Sequence, residues 1–481
     1  MIKKDNTIRF ILDGKIVGID FSDSSYRPTT TLLQYLRQHT GHKGVKEGCA
    51  EGDCGACTVV IAGLDENNRL IYKAFDSCLI FLPQVHGKQV ITVENVGNSA
   101  KLHPVQGALV KKDGSQCGYC TPGFVMSAFA LYKAEKKPDR EEILDALTGN
   151  LCRCTGYRPI IDAVIMSCRG KGKDHFTESE PDTARMLQQI RAKTKSRLID
   201  TGLQRYFIPV SLDDALKVRK KYPKALVVGG GTDTALRVTK KRELLKEIID
   251  LSFVSELCFV KETKKDITIG SGVSLEEVKE KVRQKYPALY NTLKVFGSRQ
   301  IRNKATLGGN LGSASPIGDT PPVLMAYDAK VLIAASSGTR EVPVREFITG
   351  YRTTVLAPGE IIYAVRFPEP ASDLLIKSYK VSKRKDLDIS TVSGCFMLRL
   401  DSRKKVKEIG LFYGGMAAVT KRAETTEAFL KGRAWERNTV EAAMKLIDED
   451  FKPISDARSG AEGRRIMARN LLMKFWVETG G

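Results

Sequence analysis

The sequence predicts a multidomain α+β protein. Three observations predict it. The chain has 481 residues, too many for one ordinary hydrophobic core. Its hydrophobic periodicity changes from two near the N-terminus to three and four after residue 100, then becomes mixed from about residue 203. Of its eleven cysteines, only Cys258 and Cys395 lie beyond residue 170, so thiol chemistry is confined to the N-terminal third.

Residues 1–87 read as a small β-rich domain. "TIRFILDGKIVGIDF" is a hairpin, two alternating runs about the turn pair Asp13-Gly14. "TTLLQYLRQHTG" is an amphipathic helix closed by glycine. The strands "CTVVIAGL" and "QVITVENV" follow. Residues 88–168 are helical, since "HPVQGALVKKDG", "TPGFVMSAFALYKAEKK", "DREEILDALTG" and "RPIIDAVIMSC" carry helical apolar spacing. Two of these place proline in the first turn, where its missing N–H costs nothing. The polar, weakly periodic stretch 169–200 reads as a linker. Residues 201–370 open with a strand, a helix and a strand ending in three glycines, and continue as mixed α/β. Residues 371–481 hold the strands "SGCFMLRL" and "EIGLFYGGMAA", then helices such as "TVEAAMKLIDEDF".

No window approaches the ~18 uninterrupted apolar residues of a membrane span. The N-terminus is polar too early for a secretory signal. A cytoplasmic setting follows, in which grouped thiols serve metals or catalysis rather than disulfides. The formal net charge is +21, but the basic runs are scattered rather than set beside exposed aromatics. They argue against a nucleic-acid partner and fit solvated faces or an acidic or nucleotide ligand.

Cys49, Cys54, Cys57 and Cys78 give C-x4-C-x2-C-x20-C, the plant-type spacing for a [2Fe–2S] cluster. Three ligands in one loop must wrap closely round a cluster whose sulfides accept backbone N–H bonds. Gly48, Gly52 and Gly55 allow that approach and the positive φ it needs. Cys117, Cys120, Cys152 and Cys154 give C-x2-C-x31-C-x-C. Each pair precedes a predicted helix start, at Thr121-Pro122 and at Tyr157–Pro159, and two such N-termini would present free N–H groups to an anionic cluster. On spacing alone this second set suits an iron–sulfur cluster or zinc.

"LVVGGGTD" is a buried strand running into Gly229, Gly230 and Gly231, followed by Thr232 and Asp233. It is an ordinary turn or a place where backbone N–H groups grip a pyrophosphate. It lacks the G-x-G-x-x-G fingerprint, so no Rossmann fold is expected. "TLGGNLGSASPIGD" is a second glycine loop carrying Thr306, Asn310, Ser313, Ser315 and Asp319 as polar groups. Two such loops suit a dinucleotide.

"GCAEGDCGACTV", "QCGYCTPGFVM" and "LTGNLCRCTGYRPI", in this order, resemble the iron–sulfur part of the xanthine dehydrogenase family of molybdenum hydroxylases. "ALVVGGGTD", "RQIRNKATLGGNLGSASPIGDTPPVLMA", "GYRTTVLAPGEII" and "YGGMAA" look like its FAD domain, so the resemblance runs nearly end to end. It implies four parts. These are a β-grasp plant-type ferredoxin domain, a helical [2Fe–2S]-binding bundle, a mixed α/β FAD-binding domain of the PCMH/vanillyl-alcohol-oxidase type, and a C-terminal domain like that of the CO dehydrogenase flavoprotein. It implies that Gly229 to Asp233, and Ala305, Thr306, Leu307, Gly308, Gly309 and Asn310, hold the FAD phosphates. Asp319 would meet the sugar region of the cofactor, and Phe296 would stack near the flavin, where a core aromatic is the plainer reading. Ile362 and Lys380 match further flavin positions. The loop "SKRKDLDIS" after Lys380, with Lys383, Arg384 and Lys385, corresponds to the family's loop over the flavin where NAD binds; a solvated charge run is its plainer reading.

The large molybdopterin-binding part of the family has no counterpart before Gly481. The resemblance is therefore to the bacterial arrangement, in which two [2Fe–2S] clusters and FAD form a small subunit. Electrons would come from molybdopterin on a large partner chain and leave to NAD, in a heterotetramer of two small and two large chains. No residue of this chain is expected to act on the purine. An aldehyde, CO or other heterocycle hydroxylase, or a stand-alone redox carrier, is the alternative.

Overall fold

The structure, a computed structural model, describes residues 2–23, 25–134, 137–169 and 172–480. The fold is multidomain α+β, as the sequence predicts, and it divides into two compact units. The first comprises residues 1–218, 224–254 and 297–305; the second comprises 219–223, 255–296 and 306–481.

In the first unit the N-terminal residues form a five-stranded sheet ordered Lys15–Asp20, Thr7–Leu12, Gln89–Ile91, Thr58–Leu64, Leu70–Asp76. Its first hairpin turns on Asp13 (φ 46°) and Gly14 (φ 83°), the paired left-handed residues of a two-residue turn. The helix Leu32–Gln38 lies on this sheet; Thr31 and Gln34 cap it reciprocally. "QVITVENV" is only part strand: Gln89–Ile91 is extended and Val93–Val96 is helical.

Four helices follow, Pro104–Lys111, Thr121–Ala134, Arg140–Leu147 and Arg158–Arg169. The helix Thr121–Ala134 is apolar nearly all round, because it is the centre of the bundle: Phe124 to Tyr132 are all buried. The stretch 169–200 is not the irregular linker expected. His175–Ala192 is a helix, started by Asp174, whose side chain accepts from Thr177 N–H at 2.8 Å. It buries Phe176, Leu187 and Ile190. Pro181 and a long polar face hide this periodicity.

A second sheet completes the first unit, ordered Lys3–Lys4, Arg197–Asp200, Arg205–Ile208, Glu247–Asp250, Leu226–Val228. One core joins it to the first sheet: Phe10, Leu36, Phe81 and Val85 pack with Ile199, Tyr206, Val228 and Ile248.

The second unit holds a sheet ordered Val260–Glu262, Asp266–Gly270, Ile361–Pro368, Lys330–Ala335, Gly338–Pro343. It also holds an antiparallel sheet Leu375–Val381, Val392–Leu400, Val406–Gly414, Lys421–Arg422. The helices Arg437–Asp450 and Ala461–Thr479 cover the latter through a core that includes Phe396, Tyr413, Ile447 and Phe475. Residues 201–370, expected as one domain, thus contribute to both units.

Candidate functional site

The loop Cys49–Cys57 is shaped by its small residues. Gly52 and Gly55 have φ of +77° and +69°, where a side chain is strained. A Cβ on Gly48 would stand 2.7 Å from Cys54 Sγ, and one on Gly55 would overlap the Gly149 carbonyl. Within this loop Glu51 and Asp53 N–H donate to Cys49 Sγ at 3.4 and 3.3 Å. The Cys54 thiol also donates to Cys49; together these bonds outweigh burial and bring Cys49 down to about 5. Cys57 and Cys78, both buried, are hydrogen-bonded to each other, Cys78 arriving on the turn Ser77–Leu79.

The second set repeats the arrangement. Cys117 and Cys154 are 3.5 Å apart at Sγ, and Cys120 is hydrogen-bonded to Cys152. Burial pushes Cys152 up, but hydrogen bonds from the Thr155 hydroxyl and from Thr155 and Cys154 N–H bring it to about 7. Burial pushes Cys120 up to about 12. The helices Thr121–Ala134 and Arg158–Arg169 start just after each pair, as the spacing predicts. Cys117 and Cys154 are exposed.

All eight sequence-predicted cysteines are thus brought together two by two. Each iron of a [2Fe–2S] cluster needs two thiolates, and two bridging sulfides complete its tetrahedron. The donor set, the N–H groups on sulfur and the glycine-lined loop fit such a cluster. A single zinc would need four thiolates about one point.

A buried polar hub that sequence reasoning missed ties the two loops together. Asn150, 3% exposed, donates to Gly55 O at 3.1 Å and Thr58 Oγ1 at 3.2 Å. Its Oδ1 accepts from Ser127 Oγ at 2.6 Å and Gln300 Nε2 at 3.0 Å. Next to it, Leu151 N–H donates to Cys54 O at 3.0 Å. Arg302, fully buried, pairs with Asp145 at 2.5 Å, and Asn303 donates to Ala74 O. The only sequence signal was the position of Asn150, two residues before Cys152.

The predicted flavin residues fall into two groups. In the first unit the strand Leu226–Val228 runs into Gly229, Gly230, Gly231 (φ +84°), Thr232 and Asp233. Gly230 lies so close to the segment before Thr306 that a Cβ would overlap the Lys304 carbonyl and stand 2.9 Å from Ala305 Cα. The turn is therefore pressed against Lys304-Ala305, and its Gly231 carbonyl accepts from Ala235 N–H at 2.8 Å.

In the second unit Thr306 caps the short helix Leu307–Gly312, its hydroxyl accepting from Gly309 N–H at 3.0 Å. Gly308 packs on Ser271; a Cβ there would meet Ser271 Cα at 2.9 Å. Asn310 Oδ1 accepts from Thr320 Oγ1 at 2.5 Å, which ties this loop to the adjoining Asp319. Both oxygens of Asp319 are engaged, by Lys380 Nζ at 2.9 Å and Ser390 Oγ at 2.5 Å. Lys380 also donates to Val295 O at 3.0 Å, next to half-buried Phe296. Ile362, 7% exposed, lies on the strand Ile361–Pro368 under Gly312. In the basic loop, Lys383, Arg384 and Lys385 are exposed, and Arg384 pairs with Asp388 at 3.7 Å.

Comparison with known proteins fits this geometry. Residues 18–80 match the 2Fe-2S iron-sulfur cluster binding domain, and residues 92–165 the [2Fe-2S] binding domain. Residues 200–370 match the FAD binding domain in molybdopterin dehydrogenase, and 377–479 the CO dehydrogenase flavoprotein C-terminal domain. These domains define an iron–sulfur flavoprotein, an oxidoreductase class. More narrowly, the matched domains are the iron–sulfur and FAD-binding domains of the molybdenum hydroxylase family.

It is similar to xanthine dehydrogenase of Emericella nidulans, 34% identical over 98% of this chain and 38% of that protein. Xanthine dehydrogenase/oxidase of Gallus gallus is 32% identical over 98% of this chain and 40% of the relative. The chain thus spans about two fifths of the length of these curated relatives. Among solved structures, quinoline 2-oxidoreductase from Pseudomonas putida 86 superposes with TM-score 0.53 at 25% identity, over 57% of this chain and 95% of that one. A Cu,Mo-CO dehydrogenase gives 0.52 at 26% identity, over 56% and 94%. Among the described residues no helix is long and apolar enough to cross a membrane.

Proposed function

We propose that this chain is the electron-carrying part of a xanthine dehydrogenase-like molybdenum hydroxylase. The carrying observation is the two-by-two pairing of the eight cysteines, in two sets hydrogen-bonded to each other through Cys54 O and Leu151 N–H. In this reading Cys49, Cys54, Cys57 and Cys78 hold one [2Fe–2S] cluster. Cys117, Cys120, Cys152 and Cys154 hold the other. Gly229 to Asp233 and Ala305 to Asn310 bind the FAD phosphates by backbone N–H groups. Lys380, held by Asp319 and Val295 O, keeps a cation and Phe296 in register for the flavin, with Ile362 beneath.

With these groups bound, one-electron carriers feed a flavin that can exchange a hydride with NAD. Molybdopterin and the substrate pocket belong, in this proposal, to a large partner chain in a cytoplasmic heterotetramer. Support comes from the curated relatives, matched over about two fifths of their length, and from the solved Cu,Mo dehydrogenase, whose matched chain is covered almost whole. The names of the solved relatives favour a second reading, a CO or quinoline-type substrate. Matches over 98% of this chain favour the xanthine reading.

The test is cofactor content followed by reduction. We expect about four irons with inorganic sulfide and equimolar FAD. NADH should bleach the visible spectrum of the chain, and xanthine should not. Stoichiometric zinc without sulfide, or reduction by xanthine alone, would sink the proposal.

A further inference from the structure

Gln84 lies in the iron–sulfur part of the chain, in the short turn Leu82–Val85. It is 1% exposed. Its Oε1 accepts from Phe81 N–H at 3.3 Å, capping that turn. This bond fixes the amide: the oxygen must face Phe81, so the NH2 group points the other way. Among the described residues Nε2 then finds no hydrogen-bond partner. A buried amide donor without an acceptor is costly, and native structures rarely leave one.

The amide lies against the glycine turn. A Cβ on Gly231 would stand 3.6 Å from Gln84 Nε2 and 3.3 Å from Val228 Cγ1. Phe81 and Val85 beside Gln84, and Val228 and Ala235 flanking the glycine turn, belong to one apolar core.

We infer that Gln84 is a ligand-binding residue of the flavin site, its Nε2–H donating to an acceptor of the dinucleotide held at Gly229 to Asp233. The inference rests on the FAD reading of that turn proposed above. Its consequence is that the flavin is held in part by a residue of the ferredoxin-like domain, six positions after Cys78 in the sequence. Occupancy of the flavin site and the packing of the iron–sulfur domain are then coupled.

The test uses the full chain, stripped of flavin and titrated with FAD, with binding followed by quenching of flavin fluorescence. Gln84→Leu should weaken FAD binding about tenfold, the effect of one buried hydrogen bond, with the iron–sulfur absorption unchanged. Gln84→Glu keeps an oxygen for Phe81 N–H and removes the donor, so it should weaken FAD binding at least as much. Should Gln84→Leu fail to fold, the Glu variant decides by the same titration. Wild-type FAD affinity in either folded variant overturns the inference, leaving Gln84 only as the cap of its turn. If the wild-type chain itself binds no FAD, the reading of the turn fails first, a distinct result.

Discussion

Replacing Asn150 by leucine would remove the side chain that joins the two cysteine loops. Asn150 is buried and makes four hydrogen bonds, at 3.1 and 3.2 Å as donor and 2.6 and 3.0 Å as acceptor. Partial rescue is available. Gly55 O still accepts from Thr58 N–H at 3.1 Å and from Thr58 Oγ1 at 2.6 Å, and Gln300 Nε2 still reaches Ser127 Oγ at 2.8 Å. At about 1 kcal/mol for each bond lost, less this rescue, the cost is about 3 kcal/mol. That is a large share of the ~5–15 kcal/mol that holds a domain folded. The urea midpoint should fall correspondingly, measured by far-UV circular dichroism. Because Gly55 lies between Cys54 and Cys57, and Leu151 precedes Cys152, the electron paramagnetic resonance signals of both clusters should shift together. Asn150→Asp, which keeps the acceptor oxygens, should lose less stability than Asn150→Leu. A midpoint shift worth less than about 1 kcal/mol, or a change confined to one cluster, would refute the reasoning.

Gly230→Ala should abolish FAD retention while leaving iron content intact, since its Cβ meets backbone at Lys304 and Ala305 that cannot swing aside; flavin and iron assays on one sample decide. His86 accepts from Arg9 N–H at Nδ1 (3.0 Å), so its proton sits on Nε2, facing Thr194 Oγ1 at 3.0 Å with Arg197 at 3.3 Å. Burial, then the Arg197 charge, brings it down to about 4, so the unfolded chain takes up a proton that the folded one refuses. Stability present above pH 6.5 is lost as pH falls towards 4. Urea unfolding should show a fall of about 1 kcal/mol between pH 7.5 and 5.5, and His86→Asn should flatten it; an unchanged slope would count against the assignment. Reversing Lys383, Arg384 and Lys385 to glutamate should weaken NADH binding at low salt by at most about 1 kcal/mol per exposed charge, with cluster spectra unchanged; no change in the NADH dependence would leave the loop as a solvated surface run.

The cysteine spacings, the Asp13-Gly14 turn and the helices after Cys120 and Tyr157 were legible because each is specified within a few residues. What was hidden is non-local. The helix His175–Ala192 shows only Phe176, Leu187 and Ile190 as buried apolar residues among charges and Pro181, and no local pattern distinguishes it from a linker. The division of residues 201–370 between two units depends on the return of 297–305 to the first, which no window reveals. Asn150 and Gln300 act through partners about 95 and 150 positions away, Gln84 lies against Gly231 about 147 positions on, and a lone amide in sequence carries no sign of such a neighbour.

The two-residue strand Lys3–Lys4 pairs in parallel with Arg197-Leu198. During synthesis at ~5–20 residues per second, its partner leaves the ribosome about 10–40 s after it. Until then the outermost strand of the second sheet is a loose end, although the hairpin beside it can already close. The polypeptide is therefore sewn shut from its very beginning by a segment made much later. An artificial tag or truncation at residues 2–5 would disturb the lobe beyond residue 195, and leave the nearby ferredoxin-like sheet largely untouched.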